Sequence, residues 1–452
     1  MGLRGSPAFA ESLWRGRLPH RRSASHGLTF CIGRWALVAS PARTVERWAL
    51  NMISEEQAYR QILDDVEPLP PRSARLIEAL NCFLAQDYFA DTPLPNFDNS
   101  AMDGYAVLAS DCRPGARLKV TGEQPAGIDR RLALSSGAAI RIFTGGPLPN
   151  GADAVVMQED VTADPGRTGT YPHEIVINTE VEPGDFVRQR GCDIAEGQKI
   201  VGKGERVRAV GVAALAAQGF GEIQVGGRAT AAVLSTGDEL VAPGQALRAG
   251  QIYDSNSMLL ESLLRQCGAE VCLNERCPDD KEQLIGAMKR ASKNNVLLIT
   301  GGVSVGQHDL VKQALAEIGA KIDLWRVAIK PGKPFLFGRA GHCRVFGLPG
   351  NPVSSFVTFL TFVRPAILRM MGAADDYLGL QRTTARLVEE AGGDDERRPH
   401  YIRGQLRDGE FRPVGRQESH AVFGLSRSNA LLRVPAKSRF RAGEMVEVQT
   451  WD

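Results

Sequence analysis

No two of the eight cysteines, at positions 31, 82, 112, 192, 267, 272, 277 and 343, form a C-x-x-C pair. That removes thioredoxin-type and zinc-ribbon signatures, and 452 residues are too many for a disulfide-stapled mini-domain. Cys267, Cys272 and Cys277 are spaced five apart, which fits no zinc pattern, and Cys272 is expected in a buried strand. A reduced, cytoplasmic protein is the simplest inference. Charge of one sign is also scarce. The formal net charge is only +2, which leaves no electrostatic footprint for nucleic acid. No stretch reaches the roughly 18 consecutive apolar residues of a membrane span; the apolar stretch from Leu28 to Ala39 is broken by Arg34. Internal repeats are absent too.

What is present is an ordinary globular composition, 43% apolar and 23% charged, in a chain long enough for three or four domains. The small net charge hides an asymmetry. Residues 1–50 carry eight Arg and no Lys against Glu11 and Glu46, about +6, so the rest of the chain is about −4. This Arg-rich, acid-poor start reads either as a transit-type peptide or as a disordered tail, or as sequence upstream of a true start. From Met52 the string MISEEQAYRQIL reads as an amphipathic helix.

Texture divides the remainder. Residues 52 to about 89 are expected to be helical, with ARLIEALNCFLAQD as a second helix after a proline break. From about 90 to 189, short apolar runs punctuated by Gly, Pro and Asn predict strands. RVRAVGVAALAAQG, within 190–226, predicts a helix ended by Gly219. From 227 to 375 strand and helix alternate: ATAAVLST, SMLLESLLRQCG, AEVCLNE, DKEQLIGAMKRASK, NVLLIT, DLVKQALAEIG, then DLWRVAI, PFLFGR, CRVFGL and a long apolar helix. Continuous β-branched runs bracketed by helices predict a mostly parallel sheet covered on both faces. From 376 to 452 short strands return and predict a small β domain.

In open α/β sheets ligands bind beyond the carboxyl ends of the strands. Those ends carry Gly237-Asp238-Glu239, Asp279-Asp280, Gly301-Gly302-Val303-Ser304-Val305-Gly306 with Asp309, Lys330-Pro331-Gly332-Lys333-Pro334, and Pro349-Gly350-Asn351-Pro352-Val353-Ser354. Glycine loops free backbone N–H groups for an anion, and helix N-termini add a favourable dipole. Two lysines can face one oxyanion. Glu239, Asp279 and Asp309 are the oxygen donors that hold Mg²⁺ against phosphate. Taken one at a time, a double glycine is a tight loop and Asp279 or Asp309 an N-cap; five such strand ends together point to a site for a phosphoanhydride, a divalent metal and a second anion. In the β-rich block, NSAMDGYA around Asp103 and RIFTGGPLP around Thr144 read equally as hairpin turns, and RQRGCDI, with Arg188, Arg190 and Asp193, as a solvated loop.

NSAMDGYAV, RIFTGGPLPNGADAVV, STGDEL, GQIYDSN, TGGVSVG, IKPGKP and GLPGNPVS occur in this order, and the set resembles the molybdopterin molybdenumtransferases, relatives of the gephyrin E-type domain, over about residues 52–452. The resemblance implies a multidomain α/β plus β fold. A split helical linker domain would take 52–89 and 190–226, an inserted β-rich domain 90–189, a molybdopterin-binding α/β domain 227–375, and a C-terminal β-barrel-like domain 376–452; residues 1–51 match nothing in it. It implies insertion of molybdenum from molybdate into adenylylated molybdopterin with release of AMP and a requirement for Mg²⁺. Glu239, Asp279 and Asp309 would hold metal or phosphate, Lys330, Lys333 and Ser354 anionic substrate, and Gly301, Gly302, Ser304 and Gly306 the phosphate. Pro349, Gly350 and Pro352 would flank the substrate, with Asp193, Arg398 and Ser419 matching more loosely. A homodimer is implied, with Asp103 and Thr144 reaching the site from the partner chain. The preceding cofactor-synthesis enzyme and apo-molybdoenzymes would be partners, and neither nucleic acid nor membrane. Two rival readings remain: a molybdopterin adenylyltransferase, and a non-catalytic gephyrin-like scaffold.

Overall fold

The computed structural model describes residues 52–163, 171–302, 310–392 and 397–451. The Arg-rich start, Ser304, Gly306 and Asp309 lie outside the described residues.

The centre of the molecule is a six-stranded sheet in the order Glu270–Cys277, Thr230–Thr236, Val296–Thr300, Cys343–Leu348, Leu336–Ala340, Lys321–Trp325. The first four strands are parallel and the last two antiparallel, a mostly parallel sheet. Val296–Thr300 is buried along its whole length, as a strand covered on both faces must be. Helices Ser255–Gln266 and Pro352–Met370 pack one face, around Leu260, Leu264, Val357 and Phe362. Helices Lys281–Ala291 and Leu310–Glu317 pack the other, around Leu284, Met288 and Leu315. Ser255–Gln266 and Leu310–Glu317 stop at glycines, Gly268 with φ +90° and Gly319 with φ +74°. Glu270–Cys277 is the sheet edge, so its residues alternate, and Cys272 is exposed where a buried strand was expected.

The long apolar helix is three pieces, Pro352–Thr358, a π-helical turn Phe359–Val363 and Arg364–Met370. Among the described residues it is the one helix long and apolar enough to cross a membrane, and it is mostly buried in the core.

Glu55–Asp64 is the expected amphipathic helix, opened by a capping box between Ser54 and Gln57. The second predicted helix is a correction. Arg72–Arg75 is a strand, Leu76–Ala79 a single 3-10 turn, and Asn81 takes φ +67°, which ends any helix. Tertiary pairing overrides local propensity here: Arg72–Arg75 pairs with Glu222–Val225, and Tyr88–Phe89 with Lys199–Val201. The helix Ala209–Ala217 completes this unit, whose core includes Leu84, Leu215 and Val225. Between the paired segments lies a second six-stranded sheet, formed within residues 104–177. The C-terminal strands close into a five-stranded barrel around Leu387, Phe411 and Val448.

Candidate active site

At the carboxyl ends of Thr230–Thr236, Val296–Thr300 and Cys343–Leu348 the chain must turn sharply between a buried strand and whatever follows. Gly301, with φ +89°, sits so close to the end of the neighbouring strand Thr230–Thr236 that a Cβ there would lie 2.3 Å from the Thr236 carbonyl oxygen. At Gly237 a Cβ would lie 2.3 Å from Glu239 Oε2, so this glycine lets the Glu239 carboxylate fold back over the strand end. The resulting cleft, about 320 Å³, is lined by Glu239, Asn256, Gly301, Gly350, Pro352 and His420 among others.

A buried polar network underlies it. Asp254 caps the helix Ser255–Gln266 by accepting from the Ser257 amide at 3.0 Å, and its other oxygen accepts from Ser235 Oγ at 2.5 Å. Asn256 Nδ2 donates to Thr300 Oγ1 at 3.0 Å and to the Gly350 carbonyl at 2.6 Å. Gly350 offers only an acceptor there, which fixes the amide's orientation. Asn256 Oδ1 is left buried with no partner among the described residues. An orphaned acceptor of this kind costs roughly 1–3 kcal/mol, and in a cleft wall it suits a ligand N–H or O–H.

Asp279 accepts from Thr236 Oγ1 at 2.8 Å, and its backbone N–H donates to Asp238. It does not cap the next helix. Asp280 does, accepting from the Gln283 amide at 2.9 Å. Thr236 thus holds Asp279 beside the strand end that also carries Glu239.

The lysine loop packs against the helix Pro352–Thr358. Gly332 stands over Thr358 and close to the Ser354 carbonyl. Lys330 is half-buried and Lys333 exposed. The Lys330 amide donates to the Pro399 carbonyl and its own carbonyl accepts from Tyr401, tying this loop to the barrel. Arg398 Nη1 reaches the Ile329 carbonyl at 3.5 Å. The barrel contributes one more wall. Asn351 Nδ2 donates to Ser419 Oγ at 2.8 Å, and the Val353 amide to the Ser419 carbonyl at 3.1 Å. Buried Arg403 donates to the Arg416 carbonyl, and Gln417 bonds both the amide and the carbonyl of Arg403, so the loop carrying Ser419 and His420 is held at its root.

Glu239, Gly301, Gly350 and Pro352 therefore meet in one cleft, with Asp279, Ser354 and Ser419 on elements that form it. Gly302 follows Gly301 in the same loop, with φ +62°. Pro349 is buried behind it, its carbonyl accepting from Thr300 Oγ1 at 3.4 Å and from Ser355. The side chains of Lys330, Lys333 and Arg398 are not among the cleft's lining. Asp103 and Thr144 are elsewhere. They sit together on the inserted sheet, where Asp103 Oδ1 accepts from the Thr144 amide at 2.7 Å and from its hydroxyl at 2.8 Å. These two bonds, the amide first, hold the Asp103 carboxyl below the usual range. Asp193 is exposed in a separate turn, and Arg190 there pairs with Glu196. Asp254, Asn256, Thr236 and His420 carry no expectation from the sequence. The first two lie inside the GQIYDSN string, where an Asp followed by small polar residues before an apolar run signals an N-cap; His420 has no local signal.

Three family models match the chain. One described as "MoeA N-terminal region (domain I and II)" covers residues 53–219, "Probable molybdopterin binding domain" covers 232–369, and "MoeA C-terminal region (domain IV)" covers 393–451. The chain is 35% identical over 417 residues to the molybdopterin molybdenumtransferase of Haemophilus influenzae, spanning 89% of this chain and 99% of that one. It is 33% identical to molybdopterin molybdenumtransferase 2 of Mycobacterium tuberculosis, over 89% of this chain and all of the relative. A crystal structure of a molybdopterin biosynthesis moeA protein from Pyrococcus horikoshii superposes with a TM-score of 0.76 at 29% identity, covering 89% of this chain and all of that one. With the cleft, the flanking regions and nearly the full length of these relatives in agreement, the chain belongs to the molybdopterin molybdenumtransferase family.

Proposed function

We propose that the cleft takes adenylylated molybdopterin and molybdate, inserts molybdenum into the dithiolene and releases AMP, as a step of molybdenum-cofactor synthesis in the cytoplasm. The observation that carries this reading is the meeting, in one cleft of about 320 Å³, of glycine-loop backbone at Gly301 and Gly350, the Glu239 carboxylate and the orphaned Asn256 acceptor. Backbone N–H groups at such turns suit phosphate, and the acceptor suits a donor on a base or pterin.

Mg²⁺ fits the donor set. Glu239 and Asp279 are hard oxygen ligands held beside adjacent strand ends, and Mg²⁺ is commonly held by one or two carboxylates with substrate phosphates. Asp309 is proposed as a further ligand. Bound there, the ion would neutralise the anhydride oxygens. The chain's own groups do the rest. Thr236 orients Asp279. Each pair of like unit charges about 4 Å apart costs roughly 4 kcal/mol at an effective dielectric of 20, and Lys330 and Lys333 offset this as molybdate approaches an anionic pterin. Ser354, Arg398 and Ser419 are assigned to the same anion.

Among the described residues, none of the inserted sheet lines the cleft. For Asp103 and Thr144 to act, the inserted sheet of a second copy must face it, so the working unit is proposed to be a homodimer. The enzyme that makes the adenylylated pterin and the apo-molybdoenzymes are its proposed neighbours.

Purified protein with Mg²⁺ and adenylylated molybdopterin should release AMP in a molybdate-dependent way and yield cofactor that activates an apo-molybdoenzyme. Absence of release from a folded protein that binds the nucleotide would overturn the reading. Lys330→Ala should lower turnover by about a hundredfold or more at unchanged thermal stability; near-normal turnover would remove Lys330 from the site.

A further inference from the structure

A second cavity, of about 420 Å³, is bounded by Arg206, Arg208, Cys267, Arg364, Asp376 and Trp451 with apolar neighbours. It lies within the size range of small-ligand sites. Its charge is one-sided. Three guanidiniums face one carboxylate, a net +2 from the lining.

The three arginines form no ion pair among the described residues. Three arginines elsewhere do: Arg344 pairs with Asp65, Arg369 with Asp375 and Arg433 with Glu55. Arg364 is half-buried, and Nη1 is pinned by the carbonyls of Leu378 at 2.8 Å and Gly379 at 3.2 Å, which leaves the rest of its fork for the cavity. Burial lowers its pKa, and the like charge of Arg206 adds to the effect. The Cys267 thiol is pushed up to about 11 by burial, although Arg364 and Arg206 both act on it in the opposite sense. Both guanidiniums thus bear on one point, and like charges held together this way call for an anion.

We propose that this cavity binds a tetrahedral dianion of the phosphate type, either free phosphate or the phosphate end of a nucleoside monophosphate. A dianion matches the net +2, where one carboxylate would neutralise half of it. Planar guanidinium forks match phosphate oxygens in pairs. The site is distinct from the active cleft. Helix Ser255–Gln266 has its first residues in the cleft and Gln266 at this cavity, roughly 16 Å away by helical rise. The run that starts at Pro352 in the cleft likewise reaches Leu360 and Arg364 here.

Trp451 in the wall supplies a local probe for the full chain, and the test does not depend on the catalytic reading. Titration with inorganic phosphate, and separately with AMP, should change tryptophan fluorescence saturably. The change should vanish in Trp451→Phe. Its half-point should rise at least tenfold in Arg206→Gln/Arg208→Gln, whose two altered side chains are exposed and whose thermal midpoint should match the parent. Saturation by phosphate alone identifies the free ion as ligand, and tighter saturation by AMP the nucleotide. No saturable change with either, a change that survives in Trp451→Phe, or an unaltered half-point in the double variant would overturn the site.

Discussion

Gly301 and Asp103 show how much of the chemistry rests on single positions. Gly301 combines φ +89° with a Cβ that would lie 2.3 Å from backbone oxygen, so no side chain can be accommodated by a rotamer change. Gly301→Ala should cost about 2–3 kcal/mol in urea unfolding and distort the cleft; a loss below half a kilocalorie would mean the strand end yields. Asp103 presents the opposite case, an exposed carboxylate with two donors from Thr144. Its depressed pKa keeps it ionised below the ordinary value of about 3.9. The stabilisation it gives is therefore present above that value and lost as pH falls through the folded pKa. Thr144→Val removes the hydroxyl and keeps the amide, so a carboxyl NMR titration should place the Asp103 midpoint higher than in the parent. An unmoved midpoint would assign the whole shift to the amide. The sequence marks Gly301 as part of a strand-end anion loop and Asp103 as a turn that the family resemblance ties to the site, but not how either is held. The double donation to one oxygen and the close approach at Gly301 arise from chain segments that meet after folding.

At the level of elements, the adjacent Asp279 and Asp280 separate two roles that spacing leaves open. Asp280 takes extended backbone and caps Lys281–Ala291, while Asp279 turns to Thr236. Asp280→Ala should lower stability by about 1 kcal/mol with AMP release near normal, and Asp279→Asn should do the reverse; swapped outcomes would exchange their roles. The parallel strands, the glycine-stopped helices and the barrel strands were legible, because each buries a long run with its own period. The segment 76–89 was not. Its apolar spacing suits a helix, yet its residues pair with strands more than a hundred positions away, and sequence periodicity carries no trace of such partners. Cys272 misled for a related reason, since a strand's place at a sheet edge is settled by its neighbours. In the site, the glycine loops and Glu239 stood out from their positions after strands, whereas Asn256 and His420 acquire meaning only from Gly350 and the barrel loop beside them.

For the whole molecule, the separation of the Asp103–Thr144 pair from the cleft yields a test of the dimer. Asp103→Ala and Glu239→Ala should each be inactive. Mixed and reassembled, they should recover about a quarter of parental AMP release, since half the dimers are mixed and one of their two sites is intact. No recovery would place both residues in the same chain's site. The chain also carries matched regions on both sides of the α/β block, at 53–219 and 393–451, beyond a molybdopterin-binding domain alone. The inserted sheet has one more property. Phe89 stands opposite Lys199 in an antiparallel pair, so the chain leaves the rest of the molecule and returns to it at a single doorway. A two-residue turn could bridge that pair. Residues 90–198 are then a cassette: an engineer could shorten the excursion to a turn while the frame on either side stays stitched.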